Sequence, residues 1–592
     1  MQNAATVAAQ PRPVGSDAIA ADCRGLNFFE IDRGLRDLLG LYLPPELLAS
    51  LLPQYRALGE IAGGRLDELA RQSDRHGPVL HHRDAFGRDE DWVEFHPAYR
   101  EMEKIALERF GIHCMSRRAG TFGLDAPVPP LAKYAFQYLF AQSEFGLMCP
   151  ISATETTALL IERYASDEVK AAVLPRMLSQ DRAEIMMGAQ FMTEKTGGSD
   201  VSGIALTARQ EEGGWRLYGD KWFCSCADAD IALLLARPEG APDGNAGLGL
   251  FALPRRLPDG SRNRYRVVRL KDKLGSRSMA SGEIIFEGAL AYPLGDVGAR
   301  ANSGLKQMLD QVNMSRLSHG VRAAAMMRRC FNEALVVANS RRAFGGRLID
   351  KPMVRRQLAK LAVPTEQALS MSLYVAECLQ KADAGDEAAA RLTRILTPLL
   401  KYRTARDNVA VATGAMEMRG GNGYIEDFVN ARLVRDAHLG VIWEGTSNIN
   451  SIDVIDRAVG RVGAHEDLGR ALRETIEAAD GAPGQFRGEL SGLVDRAVAF
   501  ADKVAREGTD AKKRQASRAL YNATTAVLLA QEGARLGRAG GDARRLVLAQ
   551  MVVDHRLRPS DPLAGVESPA GQIDAILSES SVSLETAQAL VR

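Results

Sequence analysis

The spacing of apolar residues changes twice along the chain, and those two changes constrain the fold more than any other feature. From about residue 26 to 185, apolar residues recur at intervals of three and four, as in "LRDLLGLYLPPELLASLLPQYRALGEIAGGRLDELARQSDR". That is the period of amphipathic helices. Between about 186 and 295 the pattern becomes one of short segments bounded by Gly, Pro, Asn and Asp: "GLGLFALPRR", "YRVVRL" and "SGEIIFEGALAYPLG". Those are strands of an antiparallel sheet or barrel. From about 303 the long helical pattern returns, and four long helices with short connections form a bundle, the fourth being the segment after Glu444. Pro364 is the expected kink in the second. A further helical block follows from 459 to 592, with a loop at 559–573. The piece 81–102 reads as a long loop or short hairpin. The fold class is α+β, in five parts: a disordered leader at 1–25, a helical domain at 26–185, a β domain at 186–295, a four-helix bundle at 296–458 and an extra helical domain at 459–592.

Charge excludes some functions. The 592 residues carry 75 Lys and Arg against 74 Asp and Glu, so neither a nucleic-acid binder along its whole length nor a polybasic membrane protein fits. The seven cysteines are scattered and odd in number, the usage of a reducing cytoplasm. Cys224 and Cys226 have no second Cys or His pair at zinc spacing, and no metal site is expected. Neither a signal peptide nor an apolar run of spanning length is present.

Five segments could carry chemistry. "GAQFMTEKTGGSDVSG" (188–203) places Thr193 before two glycines that let a ligand approach the backbone, with Ser199 and Asp200 after them. "KWFCS" (221–225) sets aromatics beside the Ser225 hydroxyl on a strand. "SRRAFGGRLID" (340–350) ends a helix with arginines suited to a pyrophosphate. "EMRGGNGYIED" (417–427) is a Gly-rich loop after a helix, without the Rossmann spacing. "VIWEGTSNIN" (441–450) places one carboxylate, Glu444, behind three apolar residues, where its burial needs a reason. Taken singly, each also has an ordinary structural reading: a turn, a half-buried strand, a capped helix end or a paired acid.

Taken in order, they resemble the acyl-CoA dehydrogenase flavoproteins over roughly 130–458. Thr193 to Asp200 is similar to that family's T-E-x-x-x-G-S-D segment, "KWFCS" to its K-x-W-I-T strand, Arg341 to Gly345 to its R-x-x-F-G helix end, Gly420 to Tyr424 to its G-G-x-G-Y loop, and Glu444 to Thr446 to its E-G-T segment. "FHPAY", "RAAAMMRRCF", "IWEGTSNI" and the extra C-terminal block resemble the AidB-type branch, linked to the adaptive response to alkylation damage.

The resemblance implies an FAD-dependent oxidoreductase acting on an acyl-CoA thioester, with Glu444 as the general base. Some relatives carry the base on an earlier helix, and the matching residue here, Ser315, cannot serve. The resemblance assigns the cofactor to Thr193, Ser199, Phe223, Ser225, Gly420, Gly421 and Thr446, with Arg341 and Phe344 reaching the cofactor of a neighbouring subunit in a homotetramer. Ser199 and Arg316 would meet the substrate. Glu417 stands where the family often has Gln, so an adenosine contact there is in doubt.

A second reading is a DNA-associated flavoprotein of the alkylation response with little turnover. A third is a membrane-associated dehydrogenase, although no integral membrane segment is expected. Basic residues cluster in the tail at 503–518 and 544–558, and double-stranded DNA would meet Lys512, Lys513, Arg514, Arg518, Arg544 and Arg545 through phosphate contacts. The expected location is cytoplasmic.

Overall fold

The computed structural model describes residues 19–297, 303–559, 561, 563 and 570–591. Of the leader expected at 1–25, residues 1–18 lie outside the described residues, as does most of the loop expected at 559–573. The remainder of the leader is packed, not loose. Cys23 is buried, its N–H donates to Glu333 Oε1 at 3.2 Å, and Arg419 donates to the carbonyls of Ala20 and Ala21 at 3.3 and 3.2 Å.

The first helical part runs through α1 (Arg33–Tyr42), α2 (Pro45–Ile61), α3 (Asp67–Arg75), α4 (Pro97–Glu103), α5 (Pro130–Ala141), α6 (Met148–Tyr164) and α7 (Asp167–Met177). Asp32 starts α1 by accepting the N–H of Leu35 at 3.0 Å. The doubtful piece after α3 is a hairpin, β1 (Val79–Arg83) against β2 (Asp89–Glu94), with His81 opposite Trp92.

The seven-stranded sheet comprises β3 (Gly188–Phe191), β4 (Thr207–Glu211), β5 (Gly214–Ser225), β6 (Ile231–Pro238), β7 (Gly249–Pro254), β8 (Tyr265–Leu270) and β9 (Ser281–Leu294). Its order is β3-β5-β4-β6-β7-β9-β8, and extra β3–β6 and β5–β9 pairings curl it toward a barrel. It is antiparallel except where β6 runs parallel to β3 and β4. That exception is why β6, "IALLLARP", lacks a polar face: it is covered on both sides. The sheet has its own core, to which α6 and α7 lend Ile161 and Met177.

The bundle is led by α8 (Ser303–Ser340), α9 (Pro352–Asp383) and α10 (Glu387–Arg419), and Pro364 lies inside α9 without ending it. The expected long fourth helix after Glu444 is absent. Its place is taken by α11 (Val429–Gly440), a turn, α12 (Ser447–Ile452) and one π-helical segment, Asp453–Val459. The tail adds α13 (Ala464–Glu477), α14 (Gly484–Glu507), α15 (Lys513–Arg538), α16 (Arg544–Val552), α17 (Ala570–Leu577) and α18 (Leu584–Ala589). It packs on the bundle through α15 against α9 and α10, and a single core runs from Phe28 through the bundle to Val591.

Candidate active site

Glu444 lies in the turn between α11 and α12, and both halves of the E-G pair are left-handed, with φ 53° at Glu444 and 87° at Gly445. Glutamate in that region is strained by about 1–3 kcal/mol, so its surroundings must over-determine it. They do so through the carbonyls. Arg316 of α8 donates from Nε to the Glu444 carbonyl at 3.1 Å, and Lys401 of α10 donates to the Gly445 carbonyl. Asn450 Nδ2 bridges the Gly445 and Thr446 carbonyls at 2.7 and 3.0 Å. Thr446 caps α12 by accepting the N–H of Ile449 at 3.5 Å. Gly445 suits the positive φ, and a Cβ there would also crowd Ile449 Cγ2 at 3.0 Å.

Among the described residues no side chain donates a hydrogen bond to the Glu444 carboxylate. Burial pushes that carboxyl above the ordinary glutamate range, against the pull of Arg316, Lys401 and Arg322. Burial also pushes Lys401 down to about 7, with the Glu444 charge opposing. Arg316, expected at the substrate, is instead tied to Asp453 Oδ2 at 2.6 Å, and Arg394 holds the other Asp453 oxygen at 2.7 Å. Arg316 therefore lies behind the turn, holding the Glu444 carbonyl. The Trp443 indole donates to His319 Nδ1 at 2.9 Å, and Phe145 lies against the indole at 5.6 Å between ring centroids. Burial, with Arg322 and Lys401 nearby, pushes His319 well below its usual range, so it is neutral and accepts that bond. Lys401, Arg322, His319 and Asn450 were not singled out in the sequence. For the two cations a signal did exist, a lone charge inside "LTPLLKY" and "HGVRAAAMM".

The second group sits at one end of the sheet. Trp222 N–H donates to the Thr193 carbonyl at 2.8 Å, which brings the T-E segment to the end of β5. Thr193 and Ser225 are half-buried there, Phe223 is 52% exposed and Ser199 is exposed. Glu194, within the motif, is a structural group. It is buried, pairs with Lys221 at 2.8 Å and accepts the N–H groups of Ala205 and Leu206 at 2.7 and 3.2 Å. The result is an exposed aromatic face flanked by two hydroxyls and an open glycine loop.

A third group lies at the far end of the bundle. A Cβ on Gly420 would sit 3.4 Å from Arg341 Nη1, so these two residues converge. Phe344, with φ 50°, is 91% exposed at the tip of the connection between α8 and α9. Gly421 and Glu417 are exposed. At 1.5 Å per residue, Arg341 lies about 37 Å along α8 from Arg316, and Gly420 about 28 Å along α10 from Lys401. Gly420 and Gly421 are therefore not brought near Thr446 within one chain.

The tail residues expected at DNA divide. Lys512, Arg514 and Arg518 are exposed and have no carboxylate partner among the described residues. Lys513 is held by Asp456 at 2.7 Å and by Asp510 at 2.5 Å. Arg544 pairs with Asp542 at 2.7 Å and donates to the carbonyls of Ile576, Ser578 and Ser580. Arg545 is buried between Glu532 at 2.8 Å and Glu366 at 2.7 Å. The patch expected at Arg544 and Arg545 is corrected accordingly, because those charges face inward to carboxylates and carbonyls.

A strained carboxylate turn in a helix bundle, beside a curled sheet that ends in an aromatic face, has the architecture of an acyl-CoA dehydrogenase, and comparison with known proteins agrees. Residues 302–460 match the acyl-CoA dehydrogenase C-terminal domain, 189–289 the middle domain, and 19–182 the adaptive response protein AidB N-terminal domain. The chain is 34% identical to the putative acyl-CoA dehydrogenase AidB of Escherichia coli, over 69% of this chain and 74% of that protein. It is 31% identical to acyl-CoA dehydrogenase family member 11 of Caenorhabditis elegans, over 72% and 69%. The solved structure of C. elegans ACDH-11 in complex with C11-CoA superposes with a TM-score of 0.81 at 25% identity, over 93% of this chain and 95% of that one. The chain belongs to the acyl-CoA dehydrogenase family, whose members are FAD-dependent flavoproteins. The residues present fit that cofactor: the Phe223 face offers a planar wall, Thr193 and Ser225 offer hydroxyls, and the exposed Arg341 guanidinium offers donors beside a glycine backbone.

Proposed function

We propose that the chain dehydrogenates an acyl-CoA thioester between the α and β carbons, with Glu444 taking the α-proton. The observation that carries this reading is the state of Glu444: a carboxylate without a hydrogen-bond donor, made more basic by burial, on a turn fixed from two helices. An acceptor of that kind is suited to a weakly acidic C–H bond. FAD, when bound, supplies the acceptor for the hydride from the β carbon. Arg316 and Lys401 hold the carbonyls of the turn, so the Glu444 side chain and its own N–H keep fixed directions. Trp443, pinned by His319, closes the apolar side and excludes water.

Thr193, Ser225 and Phe223 line the cofactor face, and Ser199 lies on the exposed approach to it. Because Arg341, Phe344 and Gly420 lie so far along the bundle from Glu444, their cofactor contacts would be made to a second copy of the chain. Phe344, Met353 and Tyr424, 91%, 87% and 80% exposed, give that end an apolar surface suited to self-association, consistent with a homotetramer. The C11-CoA carried by the C. elegans relative supports a CoA thioester as substrate. No helix among the described residues is long and apolar enough to cross a membrane, and cytoplasmic residence is proposed.

The test is an absorbance spectrum of the purified protein followed by anaerobic titration with acyl-CoA thioesters. Bleaching of the flavin band by at least one thioester is expected. A protein that takes up no FAD, or whose flavin no thioester reduces, would overturn the proposal. A DNA role would rest on Lys512, Arg514 and Arg518 alone, and no observation favours it over the dehydrogenase reading.

A further inference from the structure

Among the described residues one buried arginine of the bundle has no carboxylate within ion-pair distance, the Glu444 charge acting on it only from farther off. Arg322 is 2% exposed, on α8 about 9 Å along the helix beyond Arg316. Every other buried arginine among the described residues has a carboxylate within ion-pair distance: Arg316 has Asp453, Arg329 has Asp67 and Glu333, Arg545 has Glu532, and Arg328, Arg403, Arg419, Arg432 and Arg435 are likewise paired. Arg322 has only a long bond from Nε to the Ser318 carbonyl at 3.4 Å, and its Nη1 has no partner. Its guanidinium lies over the rings of Trp443 and Phe145, at 4.9 and 5.4 Å from their centroids. It also meets the Cys149 thiol, which burial holds in the neutral form.

An arginine does not lose its proton, and a buried charge left unpaired is costly. The fold pairs the others and leaves this one beside the aromatic wall of the Glu444 turn. We infer that Arg322 is an anion-recognising group in the acyl site, and that the chain prefers CoA thioesters of dicarboxylic acids to those of plain alkanoic acids. The inference rests on the dehydrogenase reading, because it takes the space beside Glu444 and Trp443 as the acyl site. A terminal carboxylate would supply the missing partner through charge-assisted bonds to the guanidinium fork. An alkyl terminus would leave the charge buried and dry.

Binding separates this inference from turnover. The holoenzyme carrying E444Q is titrated calorimetrically with matched pairs, hexanoyl-CoA against adipyl-CoA and octanoyl-CoA against suberyl-CoA. The diacid thioester of at least one pair should bind about tenfold or more tighter, the range expected of hydrogen bonds to a charged group. Adding R322Q should abolish the preference, and R322K should keep part of it. Equal or tighter binding of the alkanoyl partner in both pairs would overturn the inference. So would a diacid preference that survives R322Q. The unsubstituted holoenzyme is titrated in parallel for flavin reduction. Reduction without a binding preference sinks the anion site alone, whereas a preference without reduction sinks the dehydrogenase reading and leaves the anion site.

Discussion

At the scale of single residues, the proposed chemistry depends on how Glu444 is held. Replacing it by Gln keeps the shape of the side chain and removes the proton acceptor. Flavin reduction by any thioester that reduces the parent should fall about 10²–10⁴-fold, with FAD retained. Reduction at the parental rate in stopped-flow would place the base elsewhere. Lys401 acts through the turn and through its charge. That charge pulls the Glu444 pKa down, so removing it lets the pKa rise. If Glu444 is the base, the acid limb of the pH profile for flavin reduction should therefore move to higher pH in K401M, because a carboxylate accepts a proton only when ionised. A purely structural lysine would lower the rate without moving the limb. Little of this was legible in sequence. Glu444 could be found because a lone acid in an apolar run is conspicuous. Its partners could not, since Arg316 and Lys401 are brought to one turn only by the packing of α8 on α10.

At the scale of elements, the switches of periodicity mark the sheet and the helices correctly because burial on one face imposes a period wherever it occurs. Pro364 lies inside α9, which continues past it: its neighbours Ala362, Val363, Thr365 and Gln367 are all buried in the bundle, and tertiary packing holds the helix across the proline. One expectation failed for a physical reason. The long fourth helix is interrupted because Glu444 and Gly445 are both left-handed and Thr446 starts a new helix after them. The T-E segment has the sequence of a ligand loop, yet its acid is a brace whose partner, Lys221, lies across the sheet on β5. K221M should leave Glu194 charged and buried, at a cost of about 3–5 kcal/mol. Its thermal unfolding, followed by the release of flavin fluorescence, should occur well below that of the parent. An unchanged midpoint would mean that the Glu194–Lys221 pair does not brace the loop.

At the scale of the whole molecule, the tail is welded to the rest by a buried chain of charges. Arg545 links Glu532 to Glu366, Glu366 also takes Arg328, and Arg328 reaches Asp32 at 3.1 Å, so tail, bundle and first helical part share one network. Burial alone would raise the Glu366 carboxyl, but Arg328 and Arg545 hold it down at about 2. An unfolded glutamate titrates near 4.3. The folded pKa is the lower one, so this contribution to stability is complete above that value and disappears as the pH falls toward 2. The network ties the tail to the dehydrogenase unit, even though the match to the family's C-terminal domain ends at 460. A chain cut after 460 would expose the faces of α9 and α10 that α15 covers, and would leave Glu366 and Ser370 without Arg545. It should be recovered as aggregate, or as a species that binds no FAD and melts without a cooperative transition by circular dichroism. A soluble truncated chain with bound flavin and a parental melting profile would show that the tail is an appendage and that the bundle folds without it.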